Sequence, residues 1–566
     1  MPRRRILIPV LILLVVALAL AGIYFARKRA PEPAKTETPK VAPVALPDRD
    51  EIRKAVEAGV QRIIELQSHT GSWKAVDNAT GDALSETACT ALATLALLNA
   101  QRHVVSEKVQ PAIHKGLSFI TQRYPEPKTR AASFVLQALY KADPTRYTRL
   151  ISMYGWMLVM GQITAGSQAG GFGRDIVPFP MDPERPGPRP ALNPGDASET
   201  LIGALGLDAA RRAGFQVPRV SWFRLRKHFV AVQRADGGWG DPSEAPAEGG
   251  AKSPEPSKLD ATLAGALALS LADGAIYPGV HDQCKPPPVD EPLERALAWL
   301  AKNFKGGAGL NPYGWYACER LGTLTGYSEF GGVDWYAAGA ARLLGPVASG
   351  KLHGKDMGMS DLAFGILFLS RGIDPVAFNK LKRAGDWSLH PHDLARVADY
   401  LTDKFCYAKQ WRIVTLDAPV EDLLRVPILW VSGHEALRFA DGGKRKLKDY
   451  VDRGGTILAE ACCGKEEFDN SFRALVAELW PEQRLEPLPP THRIYDGPRR
   501  LKAPWPRVLG LALPGDPPRL GVIYLPDGIS CRWERGGVPA RPALDLAANI
   551  HFFVEIVSRR PASEGQ

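Results

Sequence analysis

The sequence lacks any Cys-x-x-Cys pair. Its seven cysteines (Cys89, Cys284, Cys318, Cys406, Cys462, Cys463 and Cys531) are odd in number and irregularly spaced. That pattern excludes a disulfide framework and a zinc finger, and no metal or cofactor is expected from it. The chain also lacks a basic stripe interleaved with aromatic residues, although its 566 residues carry a formal net charge of +10. An excess spread so evenly suits a solvated surface beside acidic lipids, and no nucleic-acid partner is expected. Core-building material is not scarce: 45% of residues are hydrophobic and 23% charged, the balance of a globular protein.

One stretch has no charge at all. Residues 6–25 read ILIPVLILLVVALALAGIYF, flanked by Arg3, Arg4 and Arg5 before and by Arg27, Lys28 and Arg29 after. About 20 apolar residues span a bilayer as a helix. A basic start running directly into the apolar run is the pattern of a signal anchor. It gives a cytoplasmic start (1–5), a transmembrane helix (6–25) in contact with the lipid bilayer, and soluble domains in the periplasmic, extracytoplasmic space. A cleaved signal peptide is the alternative, because Ala17-Leu18-Ala19 and Ala19-Leu20-Ala21 offer small-residue cleavage patterns. Prolines 31, 33, 39, 43 and 47 make residues 26–48 an extended stalk.

From residue 49 to about 378 the apolar period is close to 3.6, which predicts helix. The expected spans are 50–68, 83–100, 108–124, 129–142, 145–163, 196–213, 219–234, 258–272, 289–304, 312–325, 333–345 and 358–371. Consecutive pairs resemble one another. Gln67 with Gly71-Ser72-Trp73 precedes Ser85-Glu86-Thr87-Ala88, and Gln162 with Gly170-Gly171-Phe172-Gly173 precedes Asp196-Ala197-Ser198-Glu199-Thr200. Gln233 with Asp236-Gly237-Gly238-Trp239-Gly240 precedes Asp260-Ala261-Thr262. Glycines permit φ > 0 where a first helix stops. The tryptophan is an apolar wedge between hairpins, and the acidic or hydroxyl start caps the second helix. Six such hairpins close into an (α/α)6 toroid, with the Ala- and Gly-rich second helices inside.

The recurring Gln…Gly-(Gly/Ser)-Trp turn is similar to the repeat of the prenyltransferase and squalene-cyclase superfamily, a terpenoid-cyclase-like toroid. The resemblance covers about 320 residues and is clearest at 233–240. It implies a fold more than an activity. The Asp-x-Asp-Asp acid of class II cyclases is absent, and the Gly-Cys-Gly-Glu-Gln motif of thioester relatives is absent too. Cys318 lacks the nearby Asp that a prenyltransferase zinc requires, and nothing ties it to His353. What remains is a candidate cavity. Glu86, Asp196, Glu199, Asp260 and Asp361 would rim the mouth where the inner helices begin, with Trp315, Tyr316, Glu319 and Arg320 near it. The alternative is that the acids cap helices and that Glu319 pairs with Arg320. Two Pro-rich loops, 176–194 and 241–257, lie before inner helices and would partly cover the mouth.

Beyond residue 379 strands alternate with helices, which predicts a smaller α/β domain with a parallel sheet (379–560) before a short tail (561–566). YVDRGGTILAEACCGKEEFDNSF (450–472), LEPLPPTHRIYDG (485–497) and SCRWE (530–534) resemble a bacterial domain of unknown function, number 4159. That family lies in the flavodoxin-like, class I glutamine-amidotransferase-like superfamily, where a cysteine sits on a sharp strand-to-helix turn. Cys462 falls at the equivalent turn. Its later partners are incomplete, since His551 lacks a Glu two residues on, and a buried strand-end cysteine is the alternative. The expected function is an anchored binding or scaffold protein, with a small apolar ligand or a protein partner in the ring. The rival is an enzyme acting on an isoprenoid or lipid-linked substrate at the membrane face.

Overall fold

The computed structural model describes residues 45–74, 84–176, 197–240, 256–276, 290–405, 409–514, 519–536 and 538–557. The expected cytoplasmic start, transmembrane helix and tail lie outside the described residues. So do most of the stalk, Asp196, Cys284, Cys406 and most of the two Pro-rich loops.

Among the described residues, twelve helices build the first domain. The outer ones are α1 (Arg49–Glu65), α3 (Val109–Gln122), α5 (Thr148–Gly161), α7 (Arg219–Val232), α9 (Glu291–Asn303) and α11 (Trp335–Ser349). The inner ones are α2 (Glu86–Ala100), α4 (Thr129–Ala142), α6 (Ala197–Arg212), α8 (Leu259–Ile276), α10 (Pro312–Thr325) and α12 (Met359–Gly372). Each inner helix packs on the next, and α12 returns to α2, so the ring closes. Two short hairpins, β1 (Glu329–Phe330) with β2 (Val333–Asp334) and β3 (Lys351–Leu352) with β4 (Lys355–Asp356), flank α11. The inner helices are buried on nearly every face, because they meet neighbours on both sides, outer helices behind and the ring centre in front. This explains why α8 is, among the described residues, long and apolar enough to cross a membrane: it is a core helix of the ring.

The repeat turn has a definite chemistry. Gln67 Nε2 donates to Gly71 O and Ala112 O, both at 3.0 Å. Gln162 Nε2 donates to Gly170 O at 3.0 Å and Ser221 O at 2.9 Å, and Gln233 Nε2 to Gly237 O and Pro292 O at 2.8 Å. Each glutamine therefore pins its own turn to the start of the next outer helix. The aromatic that follows is held twice. Trp73 Nε1 donates to Ile63 O and Trp239 Nε1 to Phe229 O on the outer helix. The backbone N–H groups of Trp73, Phe172 and Trp239 donate to the hydroxyls of Thr90, Thr200 and Thr262 on the inner helix. Gly237 has φ 95°, and a Cβ there would meet Arg295 O at 2.6 Å, so the position tolerates glycine alone.

The second domain is an α/β sandwich. Its seven-stranded sheet runs β6 (Gln410–Val414), β5 (Val376–Leu381), β7 (Ile428–Gly433), β8 (Thr456–Ala461), β11 (Arg519–Leu525), β10 (Leu509–Leu513), β9 (Leu485–Pro487). The first five are parallel and the last two antiparallel. Taken in chain order, the parallel strands lie 2-1-3-4-5, a doubly wound arrangement with its switch point between β5 and β7. Helices α13 (Asp393–Phe405), α17 (Ser530–Arg535) and α18 (Arg541–Val557) cover one face. Helices α14 (Val420–Leu424), α15 (Asp441–Asp452) and α16 (Glu466–Leu479) cover the other.

The two domains meet where the inner helices end. Arg212, the last residue of α6, pairs with Asp399 of α13 at 2.9 Å, and Tyr140 OH donates to Asp403 at 2.7 Å. Arg102 pairs with Asp374 at 2.6 Å just before β5. Helix α13 thus closes one end of the ring.

Candidate functional site

The amino ends of the inner helices enclose a cavity of about 150 Å³. Phe134, Ile202 and Phe364, one turn into their helices, form an apolar floor, and Arg130, Ser360 and Asp361 supply polar groups. Asp361 is 4% exposed, and its buried Oδ2 has no hydrogen-bond partner among the described residues. Burial pushes its carboxyl above the usual aspartate range.

The other expected rim residues divide. Glu199 is buried but held by Arg130 at 2.8 Å. Glu86 accepts from Ser72 Oγ at 2.7 Å, within its own repeat turn. Asp260, in the first turn of α8, is exposed, accepts from the Ala261 N–H and does not line the cavity. Trp315 is a wedge against Phe304 and Phe368. Tyr316, Glu319 and Arg320 face a second chamber at the opposite end, under α13. There Glu319 pairs with Arg371 at 3.1 Å, which replaces the pairing with Arg320 that the sequence suggests. The reason is helical geometry: adjacent residues on a helix do not face one another.

A third constellation lies at the carboxyl ends of the parallel strands, and it was not visible as a motif. His390 follows β5, His434 follows β7, Cys462 and Cys463 follow β8, and Cys531 opens α17 after β11. His390 Nε2 is 3.2 Å from both Cys462 Sγ and Cys531 Sγ, and the two sulfurs are 3.8 Å apart. Cys462 is fully buried, while Cys531 is partly exposed. Its hydrogen bond with Cys531, burial and the Glu460 charge all hold the Cys462 thiol far above the usual range. For His390 burial opposes the charged form, yet the hydrogen bond and charge of Cys531, with Glu460 and Asp393, win and raise its pKa.

Buried charges fix each loop of this site. Lys380 on β5 donates to His390 O at 2.6 Å and to Asp393 at 2.7 Å, which sets the His390 loop. Glu460 on β8 accepts from Ser432 Oγ (2.9 Å), from the N–H groups of Ile529 (2.5 Å) and Ser530 (2.9 Å), and from Ser530 Oγ. That carboxyl therefore places Cys531. Asp386 accepts from the N–H groups of His434 and Glu435. Gly528, at φ 73°, lets its loop approach the Cys463 N–H closely.

Strand β8 ends in a short turn, Cys462–Gly464, so Cys462 falls at the turn. Cys462 opens this turn, and Cys463 takes the left-handed conformation (φ 54°, ψ 26°) before Gly464. Cys463 is exposed and disulfide-bonded. The later histidine weighed from the sequence, His551, lies elsewhere, buried on α18 beside Glu555 at 3.1 Å. The histidine that reaches Cys462 precedes it in the chain.

The fold and these sites define a helical ring joined to a doubly wound α/β domain. A family model described as a domain of unknown function (DUF4159) matches residues 377–553, the second domain. Among solved structures the chain is similar to a type II terpene cyclase from Scytonema, at 13% identity and TM-score 0.34 over 58% of this chain and 99% of that one. It is similar also to an α-1,6-mannanase from Salegentibacter, at 11% identity and TM-score 0.37 over 57% of this chain and 98% of that one. No activity follows from either likeness. No curated protein matches the sequence.

Proposed function

We propose that the chain is a membrane-anchored, extracytoplasmic binding protein whose ring takes a small ligand at the amino ends of its inner helices. One observation carries this reading: the buried Oδ2 of Asp361, which has no hydrogen-bond partner among the described residues, in an apolar-floored cavity. A buried polar atom without a partner is costly by about 1–3 kcal/mol, and a ligand donor offsets that cost. The occupant is a small, mostly apolar molecule carrying one hydrogen-bond donor. The uncharged run at 6–25 supports the anchor, and the Pro-rich stalk after it supports a ring held off the bilayer.

In this reading the second domain is amidotransferase-like in fold and has no amidotransferase activity. Its strand order and the sharp turn after β8 support the kinship. The residue at the left-handed turn is Cys463, whose sulfur is in a disulfide, so no thiolate stands at that position.

The test is extraction of ligand from the full chain purified in mild detergent, with mass spectrometry of the extract. Wild type is expected to yield one dominant small molecule, and folded Asp361→Ala to yield roughly tenfold less or lower. Equal recovery from the two proteins would remove the mouth as the binding site.

A further inference from the structure

We propose that Cys462, Cys531 and His390 form a zinc site in the second domain, at the carboxyl ends of the parallel strands. The inference is independent of the ring reading. The donor atoms Cys462 Sγ, Cys531 Sγ and His390 Nε2 lie within 4.8 Å of one another. A tetrahedral zinc with Zn–S of about 2.3 Å and Zn–N of about 2.0–2.1 Å holds its sulfurs about 3.8 Å apart and each S···N pair about 3.5 Å apart. The observed sulfur separation is 3.8 Å, and the two S···N separations are 3.2 Å. The three donors therefore already stand close to the edges of one tetrahedral face. Two thiolates and one imidazole are the soft donor set that selects zinc over magnesium or calcium.

The three ligands follow three different parallel strands, β5, β8 and β11, and lie at the carboxyl edge of the sheet, where doubly wound sheets bind their ligands. Two of them are fixed from behind. Lys380 and Asp393 hold the His390 loop, and Glu460 holds the Ile529–Ser530 backbone that presents Cys531. Such outer-shell support is what a metal site requires to keep its ligands converged. Cys463 is excluded as a ligand by its disulfide, although its sulfur is 3.2 Å from that of Cys531. On the other side, His434 brings a ring nitrogen within 4.8 Å of Cys462 Sγ, and its buried Nε2 has no hydrogen-bond partner among the described residues. Three protein ligands leave one position of the tetrahedron for water or a substrate atom, beside a second imidazole. Zinc entry releases the two thiol protons to solvent and leaves every covalent bond intact.

The full chain in detergent, loaded with zinc and then washed by gel filtration, is expected to retain about one zinc per chain by elemental analysis. Cys462→Ser, Cys531→Ser and His390→Ala are each expected to lose it by roughly tenfold or more. Cys318→Ser, in the ring core, is expected to keep it. Cobalt(II) in place of zinc should give the intense visible bands of a tetrahedral thiolate site in the wild type alone. Because a ligand variant can misfold, a wild-type measurement stands beside these. Iodoacetamide labelling of the partly exposed Cys531 is expected to slow roughly tenfold on adding zinc and to recover with a chelator. A zinc-free wild type after loading, unchanged labelling, binding of copper(I) without zinc, or a Cys462–Cys531 disulfide in peptide maps would each overturn the proposal.

Discussion

Gln162 Nε2 donates to Ser221 O at 2.9 Å across 59 residues of sequence, and so ties one hairpin of the ring to the next. The same amide holds Gly170 O at 3.0 Å in its own turn. Gln67 and Gln233 repeat both contacts, so the glutamine is the joint of the repeat.

Gln162→Leu keeps the volume and removes both buried bonds. It is expected to destabilise the chain by about 1–3 kcal/mol, read as a lower denaturant midpoint with an unchanged slope. A midpoint equal to wild type would mean that the wedge aromatics alone carry the joint.

Acid should act through His228 on α7, which lies against Gly170 and Gly171 in the same turn. Burial drives its pKa down from 6.5 to about 4. The unfolded chain therefore takes up the proton first as pH falls. The stability is whole above about pH 6.5 and is lost progressively toward pH 4, by about 3 kcal/mol in all. In His228→Gln, unfolding curves between pH 6.5 and 4 are expected to lose that part of the slope. An unchanged slope would assign the acid response to other groups.

The ring and the second domain are joined by Arg212, Asp399, Tyr140 and Asp403. Asp399 is held below the usual range because the Arg212 charge, with Arg371, Arg320 and Arg396, outweighs the cost of its burial. Arg212→Met should leave Asp399 under-compensated and cost about 2 kcal/mol, less than a fully buried pair because both partners retain some exposure. Adding Asp399→Leu is expected to recover part of that loss. A double variant no more stable than the single one would show that the pair is not coupled.

Much of the ring was legible because its signals are local and repeated. All twelve ring helices overlap spans set by apolar period and glycine breaks, and α4 and α10 coincide with theirs. The threonine that receives the aromatic N–H was half visible: Thr200 and Thr262 stand in the quoted repeats, but in the first repeat it is Thr90 and not Thr87. In the second domain the alternation of strands with helices was legible as well. Strand β5 was not, because VAFNKL carries a buried Asn379 and a buried Lys380 that break the apolar pattern. Losing that strand also hid the loop that carries His390.

The sequence alone therefore determined the helical ring, the repeat joint and the change to an α/β domain, since period, turn glycines and cap residues act over a few residues. Tertiary structure alone decided which acids reach the mouth. Asp260 and Asp361 both lie in the first turn of an inner helix, yet one is exposed and the other buried, because that depends on the neighbours each helix meets. It also decided the cysteine chemistry. Cys462, Cys531 and His390 are separated by 69 to 141 residues, and only the parallel order of the strands brings their donor atoms to one point.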